Sequence, residues 1–95
     1  MDKISNDFRI ASEIRLYNMK DEPIWFNKLA DIFGDSGNDK MARSTMSKNI
    51  DKLFDFGIIT GDWEKIEGSW VRVFKVSGEA ESLIDGIIEK YNLKI

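Results

Sequence analysis

The sequence predicts a small α+β domain, mainly helical, laid out as helix, short strand, helix, helix, β-hairpin and helix. Three observations carry that prediction. Apolar residues recur at helical spacing in four separate segments. Two runs rich in β-formers, Ile58 to Ile66 and Trp70 to Val76, are separated only by Glu67-Gly68-Ser69, a hairpin signal. Proline, glycine and one polar loop punctuate the joints between segments.

The first helix is expected from about Asn6 to Met19, where Phe8, Ala11, Ile14 and Tyr17 share a face and Ile10 widens it. Asp21-Glu22-Pro23 ends it, because proline cannot continue a helix and disfavours helical geometry just before itself. Pro23 to Phe26 reads as a short extended segment. Asn27 is the expected N-cap of a second helix, Lys28 to Phe33, which buries Leu29, Ile32 and Phe33 and is closed by Gly34. Gly34 to Asp39 is the strongest loop signal in the chain. A third helix starts between Lys40 and Ser44, capped by Asp39 or Ser44. After the hairpin, Ser77 caps a last helix with Glu79 and Glu81 in its first turn, where the helix dipole favours them.

The chain of 95 residues fits one domain, 1–95. A 42% hydrophobic and 33% charged composition argues for a packed core and against disorder. There is no apolar run long enough for a bilayer and no signal-peptide pattern, so a cytoplasmic protein is expected. With no cysteine and no histidine, disulfides, thiolate chemistry and the usual transition-metal sites are excluded. No nucleophile motif occurs, and Gly34-Asp35-Ser36-Gly37 lacks the Gly-Lys-Ser/Thr continuation of a phosphate loop. The expectation is a protein that is not an enzyme and needs no cofactor or metal.

Function is sought in the third helix. Met46, Ile50 and Leu53 fall at i, i+4 and i+7, giving it a buried back, and Gly57 supplies its left-handed end. The other side carries hydroxyls, an amide and cations, the groups that contact phosphates and base edges. The chain as a whole is acidic, with 14 basic and 17 acidic residues, unlike most DNA-binding domains. The cations are concentrated, however: Lys40 to Lys52 holds Lys40, Arg43, Lys48 and Lys52 against Asp51 alone, while the segment after Ser77 is acidic.

Three stretches together resemble the winged helix-turn-helix superfamily, particularly small archaeal and bacterial (prokaryotic) regulators of the MarR, ArsR and PadR kind. They are Phe26 to Ala30, Ser44 to Ile59 with its Leu53-x-x-x-Gly57-Ile58-Ile59 ending, and Val76-Ser77-Gly78-Glu79. The resemblance implies a recognition helix entering the major groove and a β-hairpin wing. It implies that Thr45, Ser47 and Asn49 contact base edges, with Arg43, Ser44, Lys48 and Lys52 at phosphates. Lys65 and Arg72 match wing residues that approach the minor groove or flanking phosphates. Asn49 also abuts the apolar stripe and has a second reading, a polar residue bonded to backbone.

The same resemblance implies a homodimer formed by the terminal helices, here through Leu83, Ile84, Ile87, Ile88 and Tyr91. That would set two reading helices about 34 Å apart. Gly86 in mid-helix would then allow close helix approach. The chain departs from the pattern in its long Gly34–Asp39 loop, in Asp51 where a cation is common, and in Phe54 and Phe56, read as extra packing or a dimer contact. Glu64 and Glu67 argue against insertion of the wing tip into the minor groove.

Trp63 and Trp70 flank the hairpin turn. They are read as a cross-strand pair, or else as an aromatic surface for a ligand, a partner or an unstacked base. The function expected is a double-stranded DNA-binding transcription regulator, a repressor, with an effector (if any) between wing and last helix. The alternative is a winged-helix protein-interaction module of a transcription or replication assembly. Both readings keep one architecture and differ in the partner.

Overall fold

In the computed structural model, which describes residues 4–35 and 40–93, helix α1 (Asn6–Met19) runs through the middle of the molecule. Helix α2 (Phe26–Asp35) and helix α3 (Arg43–Asp55) follow, then strands β1 (Ile59–Ile66) and β2 (Ser69–Val76), a 3₁₀ turn (Gly78–Ala80) and helix α4 (Glu81–Tyr91). The two strands form one antiparallel hairpin.

Because α1 packs on α3, α4 and β2 at once, it is covered on more than one stripe: Ile10 through Ile14 are all buried, including Ser12 and Glu13. Glu13 is neutralised by Arg9 at 2.8 Å, and the Arg9 guanidinium lies over the Phe33 ring. The apolar stripes expected of the helices close on one another. Ile10, Ala11, Ile14, Tyr17, Leu29, Phe33, Met46, Ile50 and Leu53 join Ile24, Ile59, Phe74, Val76 and Ile84 in a single core, with Phe8 and Ile32 packed at its edge.

Three helices end in the same way, with a left-handed residue whose N–H, and that of its successor, bond back to the last turn. Gly57 (φ 71°) does so for α3, bonding Phe54, while Ile58 bonds Leu53. Asn92 (φ 52°) does so for α4. Asp21 (φ 57°) does so for α1, so that helix is stopped by its own cap two residues before Pro23.

Several expected caps are different in fact. Helix α2 begins one residue before Asn27, whose side-chain oxygen instead accepts a hydrogen bond from Arg43 at 3.2 Å. It runs through Gly34 to Asp35. Helix α3 starts after Ala42 with no side-chain cap, so Ser44 lies inside the first turn; Asp39 lies outside the described residues. Ser77 precedes the 3₁₀ turn, but its hydroxyl donates to Gly57 C=O at 2.7 Å and its N–H to Ile58 C=O at 2.8 Å. The end of α3 and the entry to α4 are thereby clamped together.

The expected strand at Pro23–Phe26 is reduced to one bond, Phe74 N–H to Ile24 C=O at 2.9 Å. Asn18 takes over the rest of that edge. Its amide nitrogen donates to Phe74 C=O (3.2 Å), and its oxygen accepts from Val76 N–H (2.9 Å). A side chain thus stands in for a third strand along the outer edge of β2.

Candidate nucleic-acid interface

Helix α3 turns its Met46, Ile50 and Leu53 inward, which leaves Arg43, Ser44, Ser47, Lys48, Asp51, Lys52 and Asp55 exposed. Its first turn holds no acidic residue and its N-terminal N–H groups have no side-chain cap. That end of the helix therefore presents Arg43, Ser44, Ser47 and Lys48 with the positive end of the dipole behind them. The C-terminal half is different, since Asp51 and Asp55 share the outward face with Lys52.

Individual side chains are held to differing degrees. Arg43 bonds Asn27 and lies over the Phe26 ring (5.5 Å), an arrangement that spreads its guanidinium along the junction of α2 and α3. Lys52 reaches Asp7 on α1 at 3.2 Å. Burial alone would raise the Asp7 carboxyl, but hydrogen bonds from Ser5, from the Phe8 N–H and from Lys52 outweigh it and hold the group below its usual range. Lys48 is exposed and in no ion pair among the described residues. Thr45 and Asn49 are half-buried on one flank, and the Asn49 amide donates to Thr45 C=O at 2.8 Å. This is the backbone-bonded arrangement that the stripe of Met46, Ile50 and Leu53 suggested as the second reading of Asn49.

The wing turns on Glu67 (φ 50°) and Gly68 (φ 85°), a two-residue loop of the type I′ kind. The register follows: Ile66 faces Ser69, Lys65 faces Trp70, and Trp63 faces Arg72. Trp63 and Trp70 are therefore diagonal neighbours rather than a directly opposed pair, and both are exposed, at 67% and 65%. The strand alternation puts Trp63, Lys65, Trp70 and Arg72 on one face and Asp62 and Glu64 on the other. The acidic Glu64 is thus separated by the sheet from the wing cations, and only Glu67 stays at the tip.

Arg72 does not extend to that tip. Its guanidinium lies 4.3 Å from the centre of the Phe54 ring, which itself packs edge-on against Phe74 at 5.8 Å. Gly61 makes room for this: a Cβ there would meet Arg72 Nε at 2.6 Å. Arg43, Ser47, Ile50 and Phe54 follow the i, i+4, i+7, i+11 spacing of one helix stripe. Through Phe54 and Arg72, the flank of α3 therefore continues into the aromatic face of the wing.

The α4 stripe divides. Ile84 is fully buried in the chain's own core, so it is removed from the expected dimer surface. Ile87 and Ile88 are partly buried against that core, Tyr91 is half-buried and Leu83 is 53% exposed. Among the described residues nothing beyond its own helix turn lies within 4 Å of a Cβ at Gly86, so no other described helix approaches there. Arg15 fastens α1 to α4 by a two-bond contact with Asp85 (2.7 and 3.2 Å) and a third bond to Glu81. The Asp85 hydrogen bond raises the pKa of the guanidinium against the effect of burial. An open cleft of about 340 Å³ lies between the hairpin and the end of α1, lined by Arg15, Asn18, Asp21, Glu22, Glu64 and Lys75 among others, with Glu81 its one residue from α4.

Helices α1 to α3, the hairpin and the closing helix make up a small α+β domain of winged-helix-like fold. No protein-family model and no curated protein matches the chain. Among solved structures it is similar to the circadian clock associated protein Pex from Anabaena. That match has a TM-score of 0.70 and 18% identity, covering 94% of this chain and 78% of that one. It is also similar to Pex from Synechococcus sp., with a TM-score of 0.62, 15% identity and coverage of 96% and 85%. At these identities the likeness carries the fold. No helix of the described residues is long and apolar enough to cross a membrane.

Proposed function

We propose that this chain is a sequence-specific double-stranded DNA-binding transcription regulator, a cytoplasmic repressor of the general kind formed by the small MarR, ArsR and PadR regulators. The observation that carries the reading is the uncapped, acid-free start of α3, where Arg43, Ser44, Ser47 and Lys48 lie exposed on one surface. The winged-helix-like fold supports it. In this reading α3 enters the major groove, with Arg43, Ser44, Lys48 and Lys52 at phosphates. Ser47 contacts base edges, and Thr45 and Asn49 contribute from the flank. Lys65 and Arg72 meet flanking backbone from the cationic face of the wing. A homodimer through Leu83, Ile87, Ile88 and Tyr91 would repeat the arrangement on a two-fold site. No catalytic step and no cofactor enter.

The test is a salt titration of binding to a mixed-sequence duplex, comparing the parent with Arg43→Ala/Lys48→Ala. Affinity that falls log-linearly with salt, with a slope smaller by about two in the double variant, is expected. Absence of duplex binding at low salt sinks the reading. The second reading, a protein-interaction module, is favoured by the exposure of Phe56, Trp63 and Trp70 in an acidic chain. It predicts a partner whose binding survives the double substitution.

A further inference from the structure

We infer that the aromatic face of the wing binds unpaired bases of a nucleic-acid strand. This goes beyond the duplex reading: the two indoles carry it, while the wing cations Lys65 and Arg72 are shared with that reading. Two indoles and two cations alternate on that face, with Lys65 directly across from Trp70 and Arg72 directly across from Trp63. Both tryptophans are about two-thirds exposed. Lys65 and Arg72 are in no ion pair among the described residues. Diagonal positions on one sheet face lie roughly 7–8 Å apart, a spacing that lets neighbouring bases of an extended strand each stack on one indole. The phosphates between them then meet Lys65 and Arg72.

Charge selects this occupant over an apolar protein surface. On the indole face the strands carry the cations Lys65 and Arg72 and no carboxylate, whereas the reverse carries Asp62 and Glu64 together with Lys75, so an anionic chain is drawn to the indole face. Arg72 is also fixed before any ligand arrives, since it rests on Phe54 in the space left by Gly61. A held guanidinium loses less freedom on binding than a loose one. The indoles have π-faces that accept any base, so the site would be tolerant of sequence. A duplex keeps its bases stacked on one another and offers these indoles only its edges and backbone.

The experiment compares a blunt duplex with the same duplex carrying a single-stranded tail of about ten nucleotides, by anisotropy of the labelled DNA and quenching of tryptophan emission. The tailed DNA is expected to bind about tenfold tighter for each indole engaged. Trp63→Leu/Trp70→Leu should abolish that preference although apolar area is kept, and Trp63→Phe/Trp70→Phe should restore much of it. Thermal melts of each variant establish that the fold is retained. Equal affinity for the two DNAs overturns the inference, as does a tail preference unaffected by the Leu variant. Self-association that depends on the two tryptophans and leaves no tail preference assigns the face to a second copy and overturns it too. Loss of blunt-duplex binding in Arg43→Ala/Lys48→Ala, with the tail preference intact, leaves this inference standing and separates it from the groove reading.

Discussion

Replacing Asn18 by alanine strips two hydrogen bonds from the outer edge of β2. Phe74 C=O loses its 3.2 Å donor and Val76 N–H its 2.9 Å acceptor, and both residues are nearly fully buried. A buried backbone group left unpaired costs about 1–3 kcal/mol. Asn18 itself is half-buried and borders the open cleft, so water replaces part of what is lost and the lower half of the range applies. Together the two groups give about 2–4 kcal/mol, or a drop in Tm of about 10–30 °C for a domain of this size.

Urea and thermal denaturation followed by circular dichroism measure this directly. Asn18→Asp supplies a control with a definite sign. At neutral pH it keeps an acceptor for Val76 but sets a carboxylate against Phe74 C=O, so its folded-state pKa is raised. Its relative stability should therefore improve as pH falls and the acid becomes a donor. A loss below about 0.5 kcal/mol for Asn18→Ala, the ordinary surface scatter, would show that the amide is not the third strand it resembles.

Four further outcomes follow from the packing. Ser12→Ala should stabilise by about 1 kcal/mol in urea melts, because the Ser12 hydroxyl is buried with no hydrogen-bond partner among the described residues and alanine is the better helix former. Glu67→Asn should add about 0.5–1 kcal/mol, since asparagine tolerates the left-handed first position of a type I′ turn better than glutamate; the midpoint in urea reports it.

The Asp7 carboxyl has a depressed folded-state pKa, so its stabilisation is present above the unfolded value and lost as pH falls through the folded one. Parent and Asp7→Asn should differ by up to about 1 kcal/mol at pH 7 and converge in acid, as read by stability curves against pH. Gly86→Ala should raise Tm by the equivalent of about 1 kcal/mol if α4 stands alone. A concentration-dependent fall in Tm would instead reveal a partner helix across Gly86.

How much of this was legible in the chain depends on what kind of signal each feature leaves. Amphipathic stripes such as Met46, Ile50 and Leu53 announce themselves, and Gly57 announces the end of α3. The end of α1 is announced by Pro23, but the cap that makes it is not, because Asp21 performs a glycine's conformational role without looking like one. The short strand before α2 shrinks to a single bond because Asn18, remote in sequence from β2, occupies the positions where a further strand would pair. The wing face was obscured by one residue: reading Glu67-Gly68-Ser69 as the loop rather than Glu67-Gly68 shifts the register and hides the alternation of Trp63, Lys65, Trp70 and Arg72. Gly61 was the available clue to Arg72, since a glycine inside a strand often marks close approach of another group.

The clamp at Ser77 gives the domain a mechanical property. Two hydrogen bonds of 2.7 and 2.8 Å tie the entry of the last helix to the turn that ends α3, and Arg15 bolts that last helix to α1 further along. A displacement of the entry to α4 would therefore be passed first to the turn that ends α3, through the Gly57–Ser77 joint. A ligand or second subunit that tilts α4 would then change the pitch of α3 rather than its shape.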